Sequence, residues 1–462
     1  MFSTSYTRII KIGPMQFALP VILLFFLAGA LSPRSCLCAT FPEYQIIRPN
    51  VSFWEDIYGK YSTREAVLHD REEINRIYAV VQLVPWGTPG SSKINSNLIK
   101  LAKIQLKDTL DKLGHGRSPS TEEEKRIAAL FPKARRTSYL KAKDNIRLQL
   151  GQKNRFIEGV IRSGKYMPAI KKIFKEHGLP EALAYLPHVE SSFNPTASSK
   201  AGAVGLWQFT KSTGLMYTTI NEHVDERYDP WLSTHAAAEL LKENYKHLQS
   251  WPLALTAYNY GRPGMVRAVA SHKDYETIFS KHETGLFKFA SRNFYSEFLA
   301  AVKVAKRIEA DSTIILERPE ATLLVPMTGF ASVSDICTFF RISQEDITRL
   351  NPALLSPVVK GISYIPKGYE VRLPKNKRIR LRCMQMRQFP YHKRQHNHTI
   401  YIVKKGDTLS QIAKRNKISI NVLKKLNKLD KTATIIAGQQ LFLPLQSTRP
   451  TLVIGKGKTK PN

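Results

Sequence analysis

Apolar residues recur at helical spacing through the middle third of the chain. Ala237, Leu241, Tyr245 and Leu248 follow one another at intervals that place them on one face of a helix. Glycine and proline separate this segment from its neighbours, and no strand-rich block interrupts them. We therefore expect a mainly α-helical domain over residues 151–312. Its predicted helices cover about 153–163, 166–177, 181–191, 206–213, 234–248, 252–259 and 293–310.

Residues 40–150 have a more polar pattern with separate apolar clusters. The clusters are centred on Phe53, Ile77 and Leu101, and residues 87–92 have the composition of a loop. No catalytic motif occurs here. The pattern indicates a helical N-terminal extension that packs against the next domain.

The last third of the chain contains an internal repeat. At a constant offset, Ile336 corresponds to Ile412 and Asn351 to Asn427. Each copy is predicted to run strand, helix, turn, helix, strand, which makes a small βααβ module. We place the first copy at residues 322–366 and the second copy at 399–444. Thr408 and Gln411 are spaced as a capping box that opens the first helix of the second copy.

The segment between the two copies, residues 367–398, is basic. From Arg372 to Arg394 it contains nine lysines and arginines and no acid, which is typical of a solvated linker. The tail over 445–462 is polar and basic, and we expect it to be disordered.

The net charge of the 462-residue chain is +33, which favours an anionic partner. Arg8 and Lys11 precede an apolar run over 17–31, followed by small residues up to Ala39. This is the layout of a signal peptide, or of an N-terminal anchor if it is not cleaved, over residues 1–39. We therefore expect a protein exported to the periplasm or cell envelope, with membrane association if the leader is retained. Export makes nucleic acid an unsuitable partner.

Two of the four cysteines, Cys36 and Cys38, fall in this leader. The other two are Cys337 and Cys383. Their pairing is not determined by the sequence.

Glu190 is the candidate catalytic residue of the sequence. It lies at the end of an apolar helical pattern, four and seven residues after Leu186 and Leu183, and it is the one acid between residues 187 and 221. A carboxyl in apolar surroundings near a helix C-terminus keeps its proton at neutral pH and can protonate a leaving oxygen. Ordinary glycosidases use two carboxylates, whereas here a single one stands in a motif.

The ordered motifs around Glu190 resemble those of the lytic transglycosylases, which have a lysozyme-like α-helical catalytic domain. The resemblance implies cleavage of the MurNAc–GlcNAc bond of peptidoglycan strands with 1,6-anhydro-MurNAc ends, Glu190 acting as acid and then as base. It implies that Ser191 orients Glu190, that Tyr258 contacts it, and that Asn259 holds the fold or the sugar. Tyr295 is expected on a late helix facing the cleft. The expected lining of the cleft floor is Gly205, Leu206, Trp207 and Gln208.

The second copy resembles the LysM module, a βααβ binder of glycans that contain N-acetylglucosamine. The resemblance implies glycan binding through Gly406, Asp407, Thr408, Leu409, Asn427 and Leu429. The first copy is degenerate, since Phe330 and Ala331 stand where Gly406 and Asp407 stand in the second.

The residues leave two other functions open. The chain is a hydrolytic muramidase if Asp225 or Asp229 serves as a second carboxylate, or a non-catalytic wall-binding protein. No cofactor is expected. No metal site is expected either, because His188 and Glu190 lack the Pro-Cys-x-x-Cys partner of a zinc deaminase, and His392, His396 and His398 read as a surface cluster. The sequence does not identify a protein partner.

Overall fold

A computed structural model describes residues 41–132, 135–395, 398–427, 429–430 and 433–444. The expected leader (1–39) with its two cysteines, the expected disordered tail (445–462) and His396 lie outside the described residues. Within the described residues, no helix is both long and apolar enough to cross a membrane.

The N-terminal region contains a sheet that the sequence pattern did not predict. Its three antiparallel strands are arranged in the order β2-β1-β3. The apolar cluster around Ile77, which suggested a helix, is a loop followed by strand β2, where only Tyr78 is fully buried. Residues 40–150 therefore contain the expected helices, and the sheet is the part that the pattern missed. The elements are α1 (Arg48–Gly59), β1 (Glu65–Asp70), β2 (Ile77–Gln82), α2 (Ser91–Gly114), α3 (Glu122–Ala129), α4 (Arg136–Asp144) and β3 (Ile146–Leu150).

The region over 151–312 is α-helical, apart from isolated bridges between loops. Its long helix α9 begins at Pro230, and the Asp229 side chain caps it by accepting from the backbone N–H groups of Trp231 and Leu232. The helices are α5 (Lys153–Ser163), α6 (Met167–Glu176), α7 (Leu186–Glu190), α8 (Lys211–Tyr217), α9 (Pro230–Leu248), α10 (Trp251–Tyr260), α11 (Arg262–His272), α12 (Tyr275–Lys281) and α13 (Phe289–Glu309).

Helix α1 belongs to the same hydrophobic core as the catalytic helices. It packs along α13, where Asn50 donates a buried hydrogen bond of 2.7 Å to the side-chain oxygen of Asn293. Phe41, just before α1, lies 5.4 Å from the ring of Phe298. Val51 and Ile57 are fully buried in this cluster. Helix α1 therefore shares a core with the helical domain, whereas α2, α3 and α4 pack with the sheet in a second cluster.

The first copy of the repeat is longer than its predicted bounds. Strand β5 pairs with β4 from Thr322↔Pro374 to Pro326↔Glu370, with Val371 and Leu373 buried. Residues 367–398 are therefore not a solvated linker, because their alternating apolar positions complete this module and Ile379 and Phe389 enter its core. Its elements are β4 (Thr322–Pro326), α14 (Val333–Phe340), α15 (Gln344–Leu350), α16 (Ser356–Val359), β5 (Glu370–Pro374) and α17 (Lys377–Met384).

Three side chains from the predicted linker and loops have defined places in the first copy. His392 bonds Asp335 at 2.8 Å and stacks on Tyr364, so it is part of the fold. Cys337 and Cys383 are free thiols, both half-buried at the edge of the module's core.

The second copy has the predicted βααβ order and its own core. Both copies contain the same asparagine clamp. Asn427 donates to and accepts from the backbone of Phe442, as Asn351 does with Arg372. The clamps differ in span because the first copy holds extra residues, including α16, between the asparagine and the closing strand. The elements are β6 (His398–Ile402), α18 (Leu409–Arg415), α19 (Ile420–Leu426) and β7 (Gln440–Pro444).

The first copy is docked on the helical domain through the loop before α9. Val224 is buried in the core of the first copy. Its neighbour Asp225 donates its backbone N–H to the Ala353 carbonyl, and Leu355 donates to the His223 carbonyl, both at 2.9 Å. These contacts join the first copy to the loop that supports the site.

Candidate active site

Glu190 is the last residue of α7, a short helix between apolar segments. Leu183 and Leu186 are fully buried beneath it, and the Glu190 side chain is half-buried at the surface of that core. Burial and, after it, the negative charge of Glu297 raise the pKa of the Glu190 carboxyl to about 8. At neutral pH Glu190 therefore holds a proton and can act as a general acid.

The chain reverses direction immediately after Glu190 through two left-handed residues. Ser192 and Phe193 have φ values of 50° and 57°, a conformation uncommon for residues with side chains. Arg162 holds the Ser192 carbonyl with two N–H groups, at 2.9 and 3.2 Å, and the Phe193 ring is fully buried against His188. The surrounding packing thus fixes this strained backbone, as is common at functional sites.

Ser191 joins the end of α7 to the next functional segment. Its hydroxyl donates to the Leu206 carbonyl at 2.8 Å. This hydrogen bond holds the loop over 205–208 against the end of α7.

The Gly205-Leu-Trp-Gln208 segment is mostly interior. Gly205 has φ +79°, and a Cβ there would lie 1.9 Å from the Arg227 carbonyl oxygen, so glycine is required. Leu206 and Trp207 are fully buried, and the Trp207 indole donates to the Thr234 hydroxyl at 2.9 Å. The expectation that Gly205, Leu206 and Trp207 line the cleft is therefore wrong. Gly205 lies against the Arg227 backbone, and Leu206 and Trp207 are buried in the core.

Gln208 is half-buried and has a left-handed backbone, with φ 49°. Its side-chain amide nitrogen donates to the carbonyls of Gly205 and Ala197, at 2.9 and 3.3 Å. These bonds shape the loop, and they leave the amide oxygen as the group that can meet a ligand.

Tyr258 lies in the electrostatic field of Glu190. The charge of Glu190, after the larger effect of burial, raises the pKa of the phenol well above its usual value, so the phenol stays neutral. Its hydroxyl donates to the Trp207 carbonyl at 2.8 Å. Asn259 is exposed and accepts a 2.7 Å hydrogen bond from Ser291, which joins α10 to α13.

The two acids considered as a second carboxylate are engaged elsewhere. Asp225 forms a buried ion pair with Arg227 at 2.7 Å, and that arginine also donates to the Phe209 carbonyl. Asp229 caps α9. Both therefore support the fold, and neither is suited to be the second carboxylate of a muramidase.

Comparison with known families identifies two domains in this chain. Residues 167–279 match the Transglycosylase SLT domain. The chain thus contains a transglycosylase SLT domain. The matched residues include Glu190, Gly205 and Tyr258. A second match, to the LysM domain, covers residues 401–444 and so includes most of the second copy.

The similarity extends beyond the two domains. The chain is 27% identical over 332 residues to membrane-bound lytic murein transglycosylase D of Escherichia coli (strain K12), covering 67% of this chain and 71% of the relative. It is 26% identical over 178 residues to membrane-bound lytic murein transglycosylase C of Pectobacterium atrosepticum, covering 32% and 48%. The solved structure of the 70 kDa soluble lytic transglycosylase SLT70 from Escherichia coli overlaps 51% of this chain and 39% of its own, with 15% identity and a TM-score of 0.28.

Tyr295 does not face the expected cleft. It is fully buried, and its hydroxyl donates to the Pro42 carbonyl at 2.9 Å, so it anchors the N-terminal extension. The residue of α13 that lies near Glu190 is Glu297, which is half-buried. Burial raises the pKa of the Glu297 carboxyl to about 8. The signal available in the sequence was an acid within the apolar stretch over 294–305.

The N-terminal extension also contributes to the site. Tyr58 of α1 is buried, and burial followed by the charges of Glu297 and Glu190 raises its pKa well above the usual value. Arg147 of β3 lies with its guanidinium 3.7 Å from the centre of the Phe289 ring, and its positive charge lowers the pKa of Glu297. Sequence reasoning missed both residues, because neither belongs to a motif.

Most of the expected LysM contact residues are structural. The Asp407 carboxylate accepts from the Tyr401 hydroxyl at 2.7 Å and pairs with Arg415 at 2.9 Å. Leu409 is buried, Leu429 packs on the same core, and Asn427 is the clamp. Gly406 (φ +87°) and Thr408 are exposed, and Thr408 completes the capping box with Gln411. The part of this set available to a glycan is the loop over 404–408.

Proposed function

We propose that the protein cleaves the glycan strands of peptidoglycan by a lytic reaction in which Glu190 is the catalytic acid and base. The observation that carries the proposal is a half-buried carboxyl, with a pKa raised to about 8, in a transglycosylase SLT domain. Relatives named as lytic murein transglycosylases support the choice of substrate.

The first step transfers the Glu190 proton to the glycosidic oxygen between MurNAc and GlcNAc. The bond between that oxygen and C1 of MurNAc breaks, and C1 takes on oxocarbenium character. The neutral phenol of Tyr258, held by the Trp207 carbonyl, adds a polar wall without a competing charge.

In the second step the C6 hydroxyl of the same MurNAc attacks C1. Its proton passes to the Glu190 carboxylate, which restores the acid for the next cycle. The product has a 1,6-anhydro end, and no water is consumed.

The decisive experiment incubates the purified full-length protein, and its Glu190→Gln variant, with peptidoglycan sacculi and identifies the soluble products by mass spectrometry. We expect anhydro-muropeptides from the wild type alone. Glu276→Gln, at an exposed acid of α12, is the matched control and should release products as the wild type does. Equal release by wild type and Glu190→Gln would contradict the proposal.

A hydrolytic muramidase is the second candidate, and the presence of Glu297 near Glu190 is the observation that favours it. A second carboxylate can activate water as a general base. Reducing-end products in the same assay, in place of anhydro ends, would select this function. A lack of activity with retained binding would select a wall-binding protein.

We also propose that the second copy holds the enzyme on the wall, from an envelope location. The exposed loop over 404–408 carries Lys404 and Lys405 beside Gly406, and a second binding site raises the local concentration of catalyst on the same polymer. Co-sedimentation with sacculi, competed by soluble chitin oligomers, tests this. Competition should release the protein, and retention unaffected by the oligomers would contradict it.

A further inference from the structure

Helix α17 of the first copy carries a concentrated positive charge. From Lys375 to Arg387 the chain has six lysines and arginines and no acid. Lys377, Arg378 and Arg380 are exposed, and none of them forms an ion pair within the described part of the chain. The helix therefore presents cations that the module itself does not neutralise.

One side of α17 is fixed to the core of the module. Ile379 is fully buried there, and the Asn376 side chain caps the helix by accepting from the Ile379 N–H at 2.9 Å. The Arg382 guanidinium lies 5.5 Å from the centre of the Phe339 ring. These contacts determine which side of α17 faces solvent.

The solvent side of α17 combines apolar and basic side chains. Leu381 and Met384 are about one helical turn apart, and they are 54% and 85% exposed. Lys377 stands one turn before Leu381 in the same row. Arg378 and Arg380 flank that row on its two sides. Single exposed apolar residues are common on proteins, whereas two adjacent ones among unpaired cations are typical of a helix that lies at a membrane interface.

A groove adjoins α17 on the side of β4. Its cavity volume is about 540 Å³, and its lining includes Leu324, Cys383, Met386 and Tyr391, with Arg387 among them. Leu324 is 45% exposed. The groove thus extends the combination of apolar surface and positive charge beyond the helix.

An anionic lipid surface offers a partner for both kinds of side chain. Its phosphate headgroups attract lysine and arginine, and the acyl boundary beneath them accepts leucine and methionine. An anionic polymer of the wall would satisfy the charges but leave Leu381 and Met384 in water. The leader predicts an envelope location, where anionic lipid is present.

We propose that α17 and the groove beside it bind the anionic lipid headgroups of an envelope membrane, with Leu381 and Met384 inserted at the acyl boundary. The contact is peripheral, and it depends neither on a retained leader nor on the reaction at Glu190. Because the first copy docks on the helical domain through Val224, the contact orients the catalytic unit relative to the membrane.

The test is the binding of the full-length protein to vesicles of phosphatidylcholine alone and of phosphatidylcholine with one third phosphatidylglycerol. The ratio of the two affinities isolates the effect of lipid charge, and the leader is the same in every variant. Each basic residue near an anionic surface strengthens binding about fivefold. Replacing Lys377, Arg378 and Arg380 by glutamine should therefore lower the ratio about a hundredfold at low salt.

The matched control removes three exposed charges from the helical domain and should lower the ratio about threefold or less, because those residues lie outside the proposed contact. It combines Lys242→Gln, Lys246→Gln and Arg267→Gln. Equal losses in the two triple variants would overturn the inference, since total charge alone would then explain the binding.

The apolar part is tested by Leu381→Gln with Met384→Gln. This double variant should bind the anionic vesicles about tenfold more weakly, with the salt dependence of the wild type. Binding equal to that of the wild type would overturn insertion. If the basic triple variant loses binding to sacculi but keeps binding to anionic vesicles, the surface belongs to a wall polymer and the inference is wrong.

A measurement on the wild type avoids any effect of the substitutions on folding. Hydrogen exchange followed by mass spectrometry should be slower over residues 377–387 with the anionic vesicles than with the neutral ones. Unchanged exchange over this segment, in protein that is bound to the anionic vesicles, would overturn the inference. Neither readout involves glycan cleavage, so failure of the proposed function and failure of this inference are distinguishable.

Discussion

The two copies of the repeat have the same internal clamp and different surroundings. In the first copy Asn351 holds Arg372, and the Arg372 guanidinium lies 3.7 Å over the Trp231 ring of the helical domain. In the second copy Asn427 holds Phe442, and the flanking Leu441 and Leu443 belong to that module's own core. One fold is thus used as a part of the catalytic unit in one place and as a separate module in the other.

The contacts of the first copy show how this fold is joined to the helical domain. The first copy receives Val224 into its core and accepts a hydrogen bond from Asp225. Asp225 in turn holds Arg227, which donates to the Phe209 carbonyl beside the loop over 205–208. The contact therefore reaches the segment whose Trp207 carbonyl holds Tyr258.

The largest difference is expected from Asp225→Ala and Asp407→Ala. Removing Asp225 leaves Arg227 buried without its counter-ion and should cost about 3–5 kcal/mol in the free energy of unfolding. Asp407 pairs with the exposed Arg415 and accepts from the Tyr401 hydroxyl, so its loss leaves no buried charge unpaired and should cost less. Urea unfolding of both variants measures this, and equal costs would contradict the distinction between the two copies.

The clamps give the next test. Asn351→Ala leaves the N–H and carbonyl of Arg372 without their partner, which should cost on the order of 3 kcal/mol, and Asn427→Ala should cost a similar amount in its own module. The difference lies in function. Asn351→Ala should lower activity on soluble fragments, whereas Asn427→Ala should lower only retention on sacculi. Loss of soluble activity in both variants would show that the second copy also supports the site.

A smaller effect is expected from the contact of Arg372 with Trp231. Arg372→Ala should cost about 1–2 kcal/mol, because the guanidinium is largely desolvated over the indole. Lys375→Ala, at an exposed residue just after the same strand, is the matched control and should change little. Thermal unfolding of the two variants separates a packed contact from general loss of charge.

The smallest effect concerns the exposed loop of the second copy. Replacing Lys404 and Lys405 by glutamine should lower retention on sacculi about two- to threefold at low salt, with the difference vanishing at high salt. Lys414→Gln with Lys417→Gln, also exposed, is the control for charge alone. If the two pairs lower retention equally, the loop has no special place in binding.

The sequence pattern predicted a helix well where apolar residues at helical spacing form one buried face. Helix α9 has Ala237 and Leu241 fully buried, and Glu190 lies at a helix end as expected. The sheet was missed because β3 reaches β1 across three intervening helices. The longer first copy was missed because a constant offset hides an insertion before β5.

The site was predicted in part for a related reason. Motif order located Glu190 and Tyr258, which share an electrostatic environment. Trp207 was misassigned because a motif does not show whether its aromatic side chain faces a cleft or the core. Glu297 was missed because its relation to Glu190 arises when α13 packs on α7, more than a hundred residues away in the chain.

The shared core of α1 and α13 limits where this chain can be cut to make a fragment or to exchange a domain with another protein. A catalytic fragment cut at the boundaries of the matched domain, 167–279, would lack both helices. A fragment starting at Gly151 would expose the apolar face of α13 to water and lose Tyr58 and Arg147. The smallest exchangeable piece that keeps these contacts and the first copy runs from Phe41 to about Gln395, so domain shuffling should move that piece as a whole.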